Sequence, residues 1–580
     1  AQENLVRDSA KANGLSIQIL RPGFVYDAEH MFNAHLGIGV GPFLLSLGAK
    51  GQVPICSLEN CADQIAEFAV YGSNSSQDIV NILDDELPSR AQYVALLNKS
   101  GQARFVLPFS WRFILPIAKI LSLVPVLNAH LPGFFRPLEL RARMLPVAFK
   151  KPKQLNIAYL TGEYPRATDT FIQREVAGLR DQGLNVLTCS IRKTGVEHLV
   201  GPEQYQEART TFYILDAARA PFRMLGAHFR AFWRSPRKFA SAVKLANQTS
   251  APGFRARLYQ MFYFVEAVVL ADHMQHNGVT HLHNHIAKAS CTVAMLASRI
   301  SGIPYSFTLH GPDIFFEPMR WRLDAKIANA SFVACISNYC RSQAMIFSEA
   351  DHWSKLHIVH CGVNPARYRQ DPQGKRRISK NLLFVGRLAA VKGLPVLFSI
   401  IPDLYLKHPD LKLTLVGDGP DRVSLTKQAR ELGLESCIEF AGYRSQSDVA
   451  ELLNDTDILI LPSFAEGVPV VLMEAMAAEV PVITSQIAGI PELVDHGVSG
   501  LLIPPGDENA LAQSIDRLLA DGALRRKMGK AGRCKVMAEF DIAKETVWLA
   551  DILRQYSDGR PIDKTRPTGN THLRNVEAGE

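Results

Sequence analysis

Residues 463–477 read SFAEGVPVVLMEAMA and set two carboxylates, Glu466 and Glu474, on either side of a Gly-Val-Pro turn. The preceding DILILPS reads as a buried strand, so FAEG is the loop at its carboxyl end and the apolar run after it is a helix. Pro469 suits the first helical turn, where its missing N–H has no intrahelical partner. The backbone N–H groups of Gly467 and Val468 would then face a cleft as an anion site. One acid can reach a sugar and the other a ribose, with phosphate held between them. The plainer alternative is that both glutamates solvate a helix start, and in an arbitrary sequence it is the commoner case.

Cations and histidines stand at other apparent strand ends. FVGRLAAVKG places Arg387 just past an apolar run and Lys392 just before the next helical pattern. Two cations so placed suit a diphosphate, by charge and, for Arg, by forked geometry; alone, such a loop is more commonly just solvated. FTLHGPD ends another run with His310 and Asp313, although a lone histidine there is more often structural than catalytic. HLHNH sets His281, His283 and His285 at alternate positions, on one face of a strand, a spacing that a metal cluster would share.

What must position these groups is an alternation of short apolar strands with helical patterns that starts near Leu155. Strands are predicted over LNIAYL, LNVLTCSI, THLHNHI, YSFTLHG, FVACIS and LHIVHCG. After the polar RYRQDPQGKRRISK they resume over NLLFVGR, LKLTLVGDG, CIEFAGY, DILILPS, PVITSQIAG and GLLIPPGD. This pattern gives parallel sheets with right-handed crossovers. Two such series make two doubly wound α/β domains facing each other, with ligand beyond the carboxyl ends of the strands. FIQREVAGLRDQ has helix spacing, and Thr170 with Gln173 makes a capping box for it.

Composition sets the bounds. At 580 residues the chain needs more than one core. A net charge of +8 is a modest bias that suits anionic substrates or an anionic membrane surface. Nine cysteines, an odd number with no C-x-x-C pair, point to reduced cytoplasmic thiols and to neither a disulfide framework nor a zinc site. The opening AQENLVRDSAKANG is polar and no signal peptide, and its start on Ala fits a processed or partial sequence. FILPIAKILSLVPVLNAHLPGFF, from Phe113, contains Lys119, Asn128, His130 and three prolines. That argues against a spanning helix and leaves a surface-bound apolar segment.

Taken together, about residues 155–555 resemble glycosyltransferase family 4, whose members have the GT-B fold. The Glu-x7-Glu signature is matched by Glu466 and Glu474, and the text after it, EAMAAEVPVI and GIPELVDHGVSGLLIPPGD, follows the family pattern. YLTGEYPRATDTFIQREVAGLRDQG and HLHNHIAKASCTVAMLASRISGIPYSFTLHGPDIF are similar to the subgroup that builds exopolysaccharides such as colanic acid. The resemblance implies that Arg387 and Lys392 hold the donor diphosphate, Glu474 the nucleotide ribose and Glu466 the donor sugar. It places His310 near the reacting sugar as a catalytic group with Glu466, and Asp313 at a possible sugar or acceptor contact. It implies no metal and no cofactor, and anomeric retention by front-face displacement. It reads HLHNH as a strand leading to the cleft, with Asn284 in place of a more usual Ala. Expected partners are a nucleotide-sugar donor, a lipid-linked oligosaccharide acceptor and an anionic membrane surface, with no nucleic acid, on the inner face of the cytoplasmic membrane.

The implied organisation is a transferase N-terminal domain over 154–370, a donor domain over 380–535, a helix over 536–555 packing back on the first, and a disordered tail over 556–580. Residues 1–150 fall outside it. AQENLVRDSAKANGLSIQILRPGFVYD resembles the later part of an extended short-chain dehydrogenase of the epimerase/dehydratase kind, with Asp27 for the usual Gly. The sequence contains neither the glycine-rich dinucleotide loop nor the Tyr-Lys pair of that family, so this segment should not bind NAD by itself. It is read as a truncated fusion or a retained scaffold. The rival functions are accordingly a sugar-nucleotide oxidoreductase and a non-catalytic remnant. PFRMLGAHFRAFWRSPRKFASAVK and FRARLYQMFYFVEAVVL mix aromatic with basic residues; they read either as core helices with a solvated basic face or as interfacial helices on anionic lipid.

Overall fold

The computed structural model describes residues 155–558, apart from Thr168 and residues 369–379, and shorter stretches between Ile19 and Leu121. The chain divides into two compact units, Ala1–Lys153 and Gln154–Glu580. The polar linker and the tail predicted from sequence lie largely outside the described residues.

The second unit contains two parallel sheets. Seven strands run in the order Phe212–Tyr213, Asn185–Lys193, Asn156–Tyr164, His281–His285, Tyr305–Leu309, Val333–Cys335, Leu356–Ile358. Six more run Ile438–Gly442, Lys412–Val416, Asn381–Val385, Ile458–Leu461, Val482–Ser485, Gly500–Ile503. Helices cover both faces of such sheets, so their strands are buried on both sides. Ile458–Leu461, Val482–Ser485 and Gly500–Ile503 are buried throughout. In each sheet the strand order reverses once: between Asn156–Tyr164 and His281–His285, and between Asn381–Val385 and Ile458–Leu461. Those reversals open the crevices in which doubly wound folds hold ligands.

The helix Ile542–Ser557 returns to the first sheet. Its Trp548, Leu549, Ile552 and Leu553 share a core with Leu155, Ile157 and Phe332, and the Trp548 indole N–H donates to the Ile358 carbonyl at 2.9 Å. Two local expectations need correction. The helix Thr170–Asp181 has Asp169 at its N-cap with no side-chain cap bond; Gln173 is drawn instead to the Arg166 carbonyl and Gln204. Pro469 is itself the N-cap, in extended conformation, and the helix runs Val470–Ala477.

The first unit is smaller in its elements. Phe24–Tyr26 pairs in parallel with Ile55–Ser57 and Ile19–Pro22 with Ile79–Ile82, while Phe43–Ser46 joins Gly37–Val40 and Phe105–Pro108. Leu36, Leu44, Ile55, Tyr93 and Leu97 pack together. The apolar segment from Phe113 begins in the helix Trp111–Leu121 and exposes Phe113, Ile117 and Ile120; its remainder and the basic stretch 136–153 lie outside the described residues. Among the described residues no helix is long and apolar enough to cross a membrane. All nine cysteines are free, eight of them buried.

Candidate active site

Between the two sheets of the second unit lies a cavity of about 920 Å³, bordered by the loops at the carboxyl ends of strands from both. His310, Asp313, Arg387, Lys392, Gly467, Val468 and Glu474 all line it. All but Glu474, which lies one turn inside the helix Val470–Ala477, come from a loop or helix start that follows a strand. His310 directly follows Tyr305–Leu309, Arg387 follows Asn381–Val385, and the 462–469 loop follows Ile458–Leu461.

On the donor side, Lys392 closes a short 3-10 turn, Ala390–Lys392, and Gly393 takes a left-handed conformation to start the next helix. The Lys392 ammonium pairs with Glu466 at 2.6 Å. Glu466 stands behind that lysine: it is buried, accepts from the Ser463 hydroxyl at 2.7 Å, and is not among the residues lining the cavity. Arg387 is exposed at the wall. At Gly467 the two sheets' loops meet so closely that a Cβ would lie 2.3 Å from the His310 carbonyl oxygen. Only a residue without a side chain permits that approach.

Glu474 has a partner that spacing in the sequence does not announce. Arg174, on the helix Thr170–Asp181 of the opposite half, places a guanidinium nitrogen 2.5 Å from its carboxylate. The same guanidinium reaches the Gln446 side-chain oxygen at 3.0 and 3.1 Å and the Tyr368 hydroxyl at 3.5 Å. Burial, with Glu474 beside it, pushes the Tyr368 phenol well above its ordinary range. On the opposite wall Asp313 pairs with Lys288 at 2.7 Å. The 286–288 loop that carries Lys288 is pinned from behind by Lys326, fully buried, whose ammonium donates to the carbonyls of Ala287 and Lys288 at 2.8 Å each.

The alternating histidines are buried on the strand His281–His285. His281 and His283 both meet the Ser306 hydroxyl at 2.7 Å, and His283 also meets Thr308 at 2.8 Å. Burial lowers His281 to about 4, and burial with His285 nearby holds His283 well below the usual imidazole range. Glu175, His283 and His285 bring ligand atoms within 4.8 Å of one another, close enough to share an ion. Every ring nitrogen of the two histidines already has a hydrogen-bond partner within the protein. Asn284 donates to the carbonyls of His285 and Ile286 at 3.1 Å each, which steadies the left-handed Ile286 at the strand's exit.

Two parallel doubly wound sheets that border one cavity make the GT-B fold. Two family models match within the second unit: Glycosyltransferase Family 4 over residues 213–367 and Glycosyl transferases group 1 over residues 369–535. Neither reaches residues 1–153, so the dehydrogenase resemblance there has no counterpart among them. The amylovoran biosynthesis glycosyltransferase AmsK of Erwinia amylovora is 33% identical over 207 residues, 35% of this chain and 51% of that protein. WcaL of Salmonella typhimurium, named for colanic acid biosynthesis, is 24% identical over 388 residues, 62% of this chain and 90% of that protein. Of the first curated relatives it matches, the chain spans about half the length, 51% and 53%. The crystal structure of Anabaena HepE in complex with UDP-glucose has the same fold, with a TM-score of 0.53 at 19% identity over 69% of this chain and 99% of that one.

Proposed function

We propose that the protein is a retaining glycosyltransferase that moves a sugar from a nucleotide-sugar donor to a lipid-linked saccharide during cell-surface polysaccharide assembly. The observation that carries this reading is that Arg387, Lys392, Gly467, Val468 and His310 line one cavity. Preorganised cations and N–H groups stabilise the charge that develops on a departing diphosphate. The helix Val470–Ala477 adds the positive end of its dipole, and these groups supply the positive charge that a metal would otherwise bring. A bound UDP-sugar in the HepE structure supports the same class of donor.

Support for retention comes from where the carboxylates are engaged. Glu466 is paired with Lys392, Glu474 with Arg174 and Asp313 with Lys288. With those acids occupied, a front-face displacement is the favoured route. The sugar–phosphate bond breaks, the acceptor oxygen bonds the anomeric carbon on the same face, and the acceptor's proton passes to the leaving phosphate. Peripheral attachment is supported by the helix Pro221–Arg234, which exposes Phe222, Leu225, Phe229 and Trp233 beside Arg223. The helix Phe254–His276 adds exposed Phe254, Met261 and Phe262 beside Arg255 and Arg257. Aromatic and basic groups together suit an anionic lipid surface. Residues 1–150 are proposed as a scaffold without redox chemistry of their own.

The test is a panel of nucleotide sugars screened for a rise in melting temperature, followed by transfer to a polyprenyl-diphosphate-linked saccharide with the product anomer read by NMR. Protection by one donor, a retained anomer and undiminished turnover in EDTA are expected. An inverted product, or activity lost in EDTA and restored by magnesium or manganese, would refute this arrangement.

A further inference from the structure

Behind the cavity wall the histidine that faces it is wired to a buried carboxylate. His310 Nε2 lies 2.8 Å from His285 Nδ1, and His285 Nε2 lies 3.0 Å from a Glu175 oxygen. That same oxygen is bonded by the Tyr159 hydroxyl. The other His310 nitrogen, Nδ1, stands 3.7 Å from the Cys361 thiol, and both His310 and Cys361 border the cavity. The network joins five segments: Tyr159 and His285 on neighbouring strands of the first sheet, Glu175 on the helix Thr170–Asp181, His310 past the strand Tyr305–Leu309 and Cys361 past the strand Leu356–Ile358.

The direction of these bonds follows from what each group can do. A carboxylate only accepts, so Tyr159 donates its O–H and His285 its Nε2–H to Glu175. A neutral His285 then has a bare Nδ1, which must accept from His310 Nε2–H. His310 in turn has a bare Nδ1, the acceptor that the Cys361 S–H meets. Burial, then the neighbouring His285, holds His310 well below its ordinary pKa, and burial holds the Cys361 thiol well above its own. Both shifts agree with neutral groups. His285 and Cys361 bond the ring directly, Glu175 and Tyr159 follow along the network, and His283, Arg174 and Glu545 act on its members.

We propose that Glu175 and His285 are positioning residues that fix His310 as the Nε2–H tautomer, leaving Nδ1 bare at the cavity as the hydrogen-bond acceptor for a substrate hydroxyl. This rests on the transferase reading only for the identity of the hydroxyl, which belongs to donor sugar or acceptor. When that hydroxyl bonds Nδ1 it takes the place of the weak thiol donor, and no bond in the chain has to reverse. A fixed tautomer of this kind governs catalysis elsewhere because the wrong one presents N–H where a lone pair is needed.

The experiment uses the full chain labelled with 15N-histidine, with His310 assigned by comparison with His310→Gln. The ring nitrogens of His310 should report a protonated Nε2 and a bare Nδ1 near neutral pH. A protonated Nδ1, or an imidazolium, overturns the proposal whether or not transfer is detected. In an active preparation Glu175→Gln should lower kcat by up to about a hundredfold, the low end of what a positioned acid–base group contributes, with donor KM within about twofold. The carboxylate favours the protonated ring, so its loss should move the acid limb of the pH–rate profile to lower pH. Glu175→Asp should move the limb back. A Glu175→Gln enzyme with wild-type kcat, or with reduced kcat and an unmoved acid limb, removes the positioning role. If no nucleotide sugar supports transfer while the tautomers are as stated, the proposed function falls and the network stands.

Discussion

At the scale of single residues, the pairing of Glu474 with Arg174 changes what substitution there tests. Exchange of Glu474 for Gln removes the charged acceptor proposed for the ribose and also leaves the Arg174 guanidinium, only 10% exposed, facing a neutral amide. A charge-assisted hydrogen bond contributes about 1.5–3 kcal/mol, so Glu474→Gln should weaken donor binding roughly ten- to a hundredfold in calorimetry. Unchanged donor affinity would remove the ribose role. Lys326 supports a prediction of a different kind. Burial lowers its ammonium from 10.5 to about 8. Between those values the unfolded chain binds the proton that the folded chain has released, so stability gains from this residue as pH rises. Below about pH 8 both states are protonated and the cost of the buried charge is constant. The unfolding free energy of the wild type should therefore rise relative to Lys326→Met by roughly 2 kcal/mol between pH 7.5 and 9.5. Denaturant titrations of both proteins at the two pH values read this directly, and a flat difference would place the lysine pKa near its ordinary value.

At the scale of elements, the helix Pro221–Arg234 has an apolar face with little of its own core to cover: Ala227 and Ala231 are its buried residues, while Phe222 is 89% and Trp233 66% exposed. Replacing Phe222, Phe229 and Trp233 with Ser should leave the melting temperature within a few degrees and cut binding to vesicles of anionic lipid at least tenfold, read by co-sedimentation. Equal binding by the triple variant would clear this helix of the lipid role. The elements also mark what a sequence makes legible. Strands buried on both faces tend to read as unbroken apolar runs, which is why DILILPS and NLLFVGR are legible in the sequence. Phe212–Tyr213, two residues at the sheet edge, carries too little signal to stand out. The Thr170–Gln173 pair had the right residue types for a cap, but Gln173 is drawn into tertiary hydrogen bonds that no local rule contains. The loops after the strands gave His310, Arg387, Lys392 and the Glu-x7-Glu pair, since their chemistry is local in the chain. Arg174 meets Glu474 across 300 residues, and Glu175 meets His285 across 110. Those partners are set by how helices lie on sheets, and periodicity records only which face of a helix is turned inward.

At the scale of the whole molecule, the second unit closes on itself. Its halves meet at Gly467 and His310, at Arg174 and Glu474, and through the helix Ile542–Ser557, which follows the donor sheet in sequence and packs on the other. The Val363 amide donates to the Phe540 carbonyl at 3.0 Å and the Ile542 amide to the Val363 carbonyl at 2.9 Å, tying the crossover to the chain before the second sheet. Arg533 extends this seam to the Pro365 carbonyl at 3.3 Å. Every residue assigned to the proposed site, and both sheets, lie after Lys153. A chain beginning at Gln154 should therefore fold and bind donor with an affinity within about threefold of the full chain. Turnover on a soluble acceptor analogue should be likewise unchanged. Vesicle binding is where the two should part, because Phe113, Ile117 and Ile120 are exposed on the first unit and would be lost with it. Donor calorimetry, turnover and co-sedimentation on both chains measure the three quantities separately. A shortened chain that melts cooperatively yet fails to bind donor would make the first unit part of the site and would overturn the division of labour argued from these contacts.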